Sequence, residues 1–287
     1  MTDRAFLLVN VFSRDFDGGN PLAVFTDGRG LDERRMLAVA RQMNLSETVF
    51  LLPSDEADAE LRIFTPAVEL PFAGHPTLGA AQVLARLHGL GGTVRLKTRA
   101  GVIPVALDGM RATLTANAPT QRPAAFGRAE AAAIFTLAEA DVAADPVWVD
   151  TGVEQLLIRL ASRAAVLAAR PVLPLFFRHC GDDPAHQLAY LWHEADGQAT
   201  VRLFFADNGG LREDPGTGSA AANLGGWCRL NGVPLPLSWR LLQGEAITRP
   251  NHLFLDVDAA GTIRVGGDVV FVGQGSLGLP LDDARPA

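Results

Sequence analysis

Two short turns in this chain hold residue types able to bind charge at the start of a helix. In the first, Gly74, His75 and Pro76 follow a strand-like run, Leu61 to Thr65, and lead into an apolar helical pattern from Thr77 to Leu87. Strand, glycine turn and helix start bring backbone N–H groups and the positive end of a helix dipole to one point, which suits an anion. Gly74 lets the backbone approach a ligand closely, His75 adds a titratable ring, and Pro76 fits a first turn where its missing N–H costs nothing. Taken alone, an ordinary strand-to-helix turn accounts for this loop equally well.

The second turn, Glu213 to Ala220, repeats the arrangement. Val201 to Phe205 is strand-like before it, and Gly218 to Leu230 is a small-residue helix after it. Aligning Gly74 with Gly218 also aligns Pro71 with Pro215. Four inserted residues then bring Arg62-Ile63-Phe64 opposite Arg202-Leu203-Phe204. A repeat spaced by about half the chain indicates duplicated halves. Two helix N-termini related by a pseudo-twofold would face one cleft. Asp214 and Ser219 are the polar groups of this turn, although singly an Asp serves as an N-cap and a Ser as a first-turn hydroxyl.

Two further residues belong with these. Glu47 lies where a helix ends near Asn44 and a β-prone apolar run, Thr48 to Leu52, begins. Such a carboxylate is usually a surface turn residue; pointing inward, desolvation would lift its pKa from about 4.3 toward the range of a general acid. Asn20 precedes Pro21, which biases it to extended backbone. Its amide either closes the turn or contacts a ligand.

The elements that must position these groups are legible in outline. Asp32 caps a helix from Glu33 to about Met43, with Met36, Val39, Ala40 and Met43 on one face. Thr93 to Thr98, Gly101 to Leu107 and Arg111 to Thr115 form a strand meander. A Pro/Ala-rich crossing from Asn117 to Ala125 precedes a short helix, Arg128 to Phe135. Val147 to Val153 returns to strand, with Glu154 just before Gln155 to Ile158 and undecided in role. Leu173 to Cys180 and Gln187 to Trp192 read as further β-type sequence. Leu241 to Thr248, Leu253 to Val257, Thr262 to Val265 and Val269 to Gly273 read as antiparallel strands. Many short strands with few helices indicate α+β. The helices after the two turns are apolar or small nearly all round, so each is buried on every side, one inside a curled sheet in each half. The expected division is residues 1–118, with Glu47 and the Gly74-His75 turn, and 119–287, with the Asp214 to Ser219 turn. The last strand is free to cross back to the first half.

At 287 residues, 48% hydrophobic and 20% charged, the chain is of globular type and long enough for two cores. A net charge of −7, with no Lys/Arg stripe, argues against nucleic acid. Phe6 to Phe12 is too short for the apolar core of a secretion signal, and no run is long enough for a membrane span. Cys180 and Cys228 have no metal-type spacing and read as reduced thiols of a cytoplasmic protein. His88, His179, His186, His193 and His252 show no ligand spacing either.

Gly19 to Val24, Asn44 to Thr48, Pro71 to Pro76 and Asp214 to Ala220 closely resemble the PhzF-like phenazine biosynthesis family, and Gln243 to Pro250 resembles its late Gly…Arg-Pro segment. The match covers almost the whole chain; Gly216 stands where that family usually carries valine. The resemblance implies a diaminopimelate-epimerase-like fold, two pseudo-twofold-related domains each a curled, mostly antiparallel sheet around a central helix, with the active site between them. It also implies isomerisation without a cofactor or metal, often in homodimers, on a small-molecule carboxylate. By motif, Glu47 corresponds to the family's acid/base, and His75, Asp214 and Ser219 to its polar site residues. Related racemases carry paired cysteines at these turns, whereas here the turns hold Ala73, Gly74, Asp214 and Pro215. The expected chemistry is proton transfer between carbons of an unsaturated acid, with amides around Gly74 and Gly218 and the Ser219 hydroxyl holding a carboxylate or enolate. An epimerase or tautomerase of an unrelated acid, or a non-catalytic binding protein, would use the same turns.

Overall fold

The computed structural model describes residues 2–181, 187–207 and 209–279, and His186 lies outside them. The chain divides into two compact units. Met1–Phe16, Asn20–Leu114 and Asp268–Ala287 form unit 1; Asp17–Gly19 and Thr115–Gly267 form unit 2.

Unit 1 begins with β1 (Thr2–Val11), β2 (Asn20–Phe25), α1 (Glu33–Met43), β3 (Glu47–Leu52), β4 (Ala59–Phe64) and β5 (Glu69–Leu70). It continues with α2 (Gly74–His88), β6 (Thr93–Thr98), β7 (Gly101–Asp108) and β8 (Arg111–Thr115). Two pairings are parallel, β2 with β3 and β4 with β6; the others are antiparallel. A parallel pair needs a crossover, and α1 and α2 supply them. Asp32 accepts the Arg35 N–H at 2.8 Å and starts α1, while Asn44 ends it in left-handed backbone at φ 51. The apolar side of α1, Met36, Val39 and Ala40, packs on Phe25, Phe50 and Phe64.

Unit 2 contains β9 (Thr120–Pro123), α3 (Arg128–Ile134), β10 (Val147–Asp150), β11 (Gln155–Arg159), α4 (Arg163–Ala168), α5 (Leu173–His179) and β12 (Leu188–Ala195). After these come β13 (Gln198–Asp207), β14 (Gly210–Asp214), α6 (Gly218–Leu230), β15 (Leu237–Gln243), β16 (Asn251–Val257) and β17 (Ile263–Leu279). Its parallel pairs are β11 with β12, across α4 and α5, and β13 with β15, across α6. The strand plan of unit 1 is thus repeated in unit 2, with β9 and α3 added and α4 and α5 in place of α1. β17 starts against β16 in unit 2, and from Val269 onward it pairs with β1 in unit 1.

The register makes the repeat residue-specific. Ala23 faces Thr48 and Thr48 faces Phe64; in unit 2, Leu156 faces Ala189 and Ala189 faces Phe204. Arg62 and Glu69 form a two-pronged ion pair, and so do Arg202 and Glu213, with Arg202 Nε at 3.0 Å and its terminal nitrogen at 2.7 Å from the carboxylate. Arg202 is the more deeply buried of the two arginines, and its guanidinium also donates to the Val166 and Ala169 carbonyls. A bidentate fork with its remaining donor satisfied is what lets such a charge stay inside.

The helices after the two turns are buried nearly all round, from His75 to Ala85 in α2 and from Ala220 to Gly226 in α6. Close approach to the sheet requires small residues. A Cβ at Gly79 would lie 2.6 Å from Leu22, and one at Gly225 2.8 Å from both Ile263 and Leu255.

Three expectations are corrected. Leu173–His179 is a helix, not a strand: Pro174 sits in its first turn, only Phe176 is buried, and the segment belongs to the crossover that a parallel β11–β12 pair demands. The strand expected through Thr248 stops at Gln243, because Gly244 turns to φ 81 with the Arg249 carbonyl packed where a Cβ would be. The two strands expected over Thr262 to Val265 and Val269 to Gly273 are one, running from Ile263 and continuous through Gly266 and Gly267.

Candidate active site

In unit 1, Glu47 is the first residue of β3 and His75 the second of α2, and the two side chains meet. His75 Nε2 lies 3.5 Å from Glu47 Oε2, with the His75 side chain 7% exposed and that of Glu47 17%. Burial drives the imidazole down to about 3, opposed by a hydrogen bond to the backbone carbonyl of Pro21. At neutral pH the ring is therefore uncharged, and the contact is not an ion pair. Nε2 has no hydrogen-bond partner among the described residues. A carbonyl only accepts, so Nδ1–H is committed to Pro21 and Nε2 presents a lone pair toward the carboxyl group. Two acceptors facing each other leave room for one proton between them.

Asn20 is the residue before that anchoring carbonyl. It is fully buried at the start of β2, opposite Val11. Gly74 opens α2, and Ala73 at the cap position provides no side-chain hydrogen bond, so the first amides are not capped by a side chain. Neither Gly74 nor Gly218 adopts a positive φ, so small size is what glycine offers at both.

In unit 2, Asp214 ends β14 and Ser219 is the second residue of α6. Asp214 is not the cap of α6. Thr217 holds that position, and its hydroxyl donates in a short hydrogen bond to Asp214 Oδ2 instead of capping. Buried Gln243 organises the turn: its Oε1 accepts the Thr217 N–H at 3.0 Å, and its Nε2 donates to the Asp214 carbonyl and the Thr217 hydroxyl, each at 2.9 Å. Tyr190 is also fully buried, and its hydroxyl has no hydrogen-bond partner among the described residues. Burial and the charge of Asp214 keep this phenol protonated. Tyr190 and Asp214 both flank Leu203 in register, which places them on one face of the sheet. Ser219 Oγ accepts from Gln155 Nε2 at 3.0 Å.

The structure thus brings Glu47 and His75 together beside Asn20, and gathers Asp214, Gly218 and Ser219 in one turn. Sequence reasoning missed Gln155, Asn223, Thr217, Gln243 and Tyr190. For Gln155, Asn223 and Tyr190 the only local signal was a polar residue in an apolar run, which does not say which way it faces. Glu154 is resolved as a half-exposed partner of Arg122, whose guanidinium lies 2.6 Å away and lowers its pKa. Cys180 and Cys228 are both buried, and burial pushes the Cys228 thiol up to about 12. Among the described residues, no three His, Cys, Asp or Glu side chains form a group suited to a metal ion, and no helix is long and apolar enough to cross a membrane.

A family model described as phenazine biosynthesis-like protein matches residues 9–275. An uncharacterized isomerase of Pasteurella multocida is 44% identical over 100% of this chain and 98% of its own. The trans-2,3-dihydro-3-hydroxyanthranilate isomerase of Pseudomonas aeruginosa is 34% identical over 94% of this chain and 98% of its own. A solved structure described as a predicted epimerase from P. aeruginosa matches with a TM-score of 0.80 and 31% identity, over 96% of this chain and 99% of that one. The fold is the one shared by PhzF proteins and by proline racemase-like epimerases. These relatives define a class, isomerases of small molecules, to which this protein belongs. Within that class, the chain is a member of the PhzF-like phenazine biosynthesis family.

Proposed function

We propose that this isomerase moves a proton between carbons of a small unsaturated carboxylate without a cofactor, with Glu47 as the general acid/base. The observation that carries the reading is the Glu47–His75 contact. A carboxyl group beside a neutral, fixed imidazole lone pair can hold one proton and exchange it with a substrate carbon. In the ionised state Glu47 takes a proton from one carbon. The electron pair left behind shifts through the conjugated system, and the carboxylic acid so formed returns the proton at another carbon. No net charge is gained or lost.

His75 orients the carboxyl group and stabilises its protonated form. The uncapped amides at the starts of α2 and α6, with the Ser219 hydroxyl, hold the substrate carboxylate or developing enolate, and Asp214 accepts from an amino or hydroxyl group on the same substrate. The 34% identical relative makes trans-2,3-dihydro-3-hydroxyanthranilate the first acid to try. The relative described as an epimerase supports a second reading, inversion at one carbon of a different small acid by the same groups. We place the enzyme in the cytoplasm and read it as a homodimer, and light scattering on the purified protein checks the second of these.

Proton NMR in D2O tests the function. Wild-type protein is expected to shift a double bond, or exchange a carbon-bound proton, in this acid or in a panel of amino- and hydroxy-substituted unsaturated acids. Glu47→Gln is expected to do so about a thousandfold more slowly, within the range for losing general acid–base catalysis. Bond migration indicates the isomerase reading, and exchange with inversion at a single carbon the epimerase reading. Undiminished turnover by Glu47→Gln would overturn the assignment of the acid/base.

A further inference from the structure

Unit 2 contains a string of buried polar side chains that its own repeat builds from apolar ones. The Thr151 hydroxyl donates to Asn223 Oδ1 at 2.6 Å. Asn223 Nδ2 donates to the Val153 carbonyl at 2.8 Å and to Gln155 Oε1 at 3.0 Å, and Gln155 Nε2 reaches Ser219 Oγ. Gln155 is 2% exposed and Asn223 fully buried.

In unit 1 the strand register puts Leu22 where unit 2 has Gln155: Val9 faces Leu22 as Val149 faces Gln155. The same count puts Val11 at the place of Thr151. Aligning the helix starts puts Gly79 at the place of Asn223, and a Cβ on Gly79 would meet Leu22 at 2.6 Å and Val11 at 3.0 Å. Helix-on-sheet packing is therefore met in unit 1 by Leu, Gly and Val. Buried amides cost desolvation that apolar groups do not, so packing does not explain the polar string in unit 2.

The string also has a direction. The Val153 carbonyl only accepts, so the Asn223 atom on it is nitrogen, and its oxygen takes the Thr151 proton. The second Asn223 amide proton fixes Gln155 Oε1, which turns Gln155 Nε2 toward Ser219. Ser219 must accept there, and its own proton points elsewhere.

We propose that Gln155 is a positioning residue: held by Asn223, it occupies a lone pair of Ser219 and makes that hydroxyl a dedicated donor to an anionic substrate oxygen. For the ligand this rests on the reading above that the start of α6 holds a carboxylate; the direction of the string does not. Two experiments separate them. Neutron diffraction from deuterium-exchanged crystals is expected to show two Gln155 deuterons on the Ser219 side and the Ser219 deuteron turned away from Gln155. A Ser219 deuteron pointing at Gln155 would overturn the proposal, whatever the enzyme acts on.

The kinetic arm uses trans-2,3-dihydro-3-hydroxyanthranilate. Gln155→Glu, whose carboxylate would capture the Ser219 proton, is expected to raise KM about tenfold or more, the scale of one charge-assisted hydrogen bond. Gln155→Met, which keeps the volume, should raise KM roughly threefold, and kcat should stay within about twofold in both. In a Ser219→Ala background, Gln155→Met should add nothing. An equal effect of Gln155→Met with and without the Ser219 hydroxyl would mean that Gln155 acts through packing alone and would reject the proposal. A wild-type enzyme inert toward this acid would count against the assigned substrate and leave the neutron result to decide the direction.

Discussion

In unit 1 the second residue of the buried helix is His75, and the adjoining strand begins with Glu47. In unit 2 the matching positions hold Ser219 and Leu188. Where unit 1 has Leu70 at the end of its short strand, unit 2 has Asp214, each facing the residue after its paired arginine. One plan thus carries two different sets of polar side chains. Unit 1 encloses a carboxyl group and an imidazole beside buried Asn20, and Leu22, Val11 and Gly79 pack where unit 2 has its polar string. Unit 2 keeps its carboxylate within a hydrogen-bonded turn organised by Gln243 and Thr217, and backs its hydroxyl with an amide string. The shared Arg–Glu forks maintain the fold, and the polar side chains of the two turns stand at positions where the halves differ.

Attacking the shared framework gives the largest effects on stability. Arg202→Met should cost about 3–5 kcal/mol by leaving Glu213 buried and unpaired. Arg62→Met should cost less, because its side chain is 18% exposed and Glu69 keeps Arg99 at 2.6 Å. Urea unfolding of the two variants measures the difference, and equal losses would break the ranking of the forks. Gly79→Ala comes next at roughly 1–3 kcal/mol of overpacking against Leu22.

The pH dependence sharpens the contrast between the halves. His75 is held near 3 in the folded protein against 6.5 ordinarily, so the unfolded chain binds more protons between those values. The His75 contribution to stability is fully present above about 6.5 and is lost as the pH falls toward 3. His75→Gln should flatten the loss of stability between pH 6.5 and 4 seen by denaturant titration, whereas Ser219→Ala should leave its slope unchanged. The smallest effect is expected at the Arg122–Glu154 pair, which is half exposed. Glu154→Gln should change stability by less than about 1 kcal/mol and activity not measurably.

The long-spaced repeat was legible because glycine, proline and the Arg-x-Phe strand pattern keep their order in both halves. The buried helices were legible because Leu78 to Ala85 and Ala220 to Gly226 leave no polar face wide enough for solvent. Gln155 and Asn223 were not legible as site residues, since one polar residue in an apolar run reads the same whether it faces water or a buried partner. The meaning of Gln155 depends on its pairing with Val149 and on Asn223, 68 residues away, and no local pattern fixes such a register. The same limit hid α5: Leu-Pro-Leu-Phe-Phe has strand-type side chains, and only the parallel pairing of β11 with β12 shows why a crossover runs there.

The central proposal is that Glu47 moves the proton and Ser219 helps to hold the acid. The most direct test compares Glu47→Gln and Ser219→Ala with trans-2,3-dihydro-3-hydroxyanthranilate, using calorimetry for binding and NMR for turnover. Glu47→Gln should bind within about threefold of wild type while turning over about a thousandfold more slowly, and Ser219→Ala should bind about tenfold more weakly with kcat nearly kept. Loss of binding in Glu47→Gln with kcat preserved, or loss of kcat alone in Ser219→Ala, would contradict that division of roles.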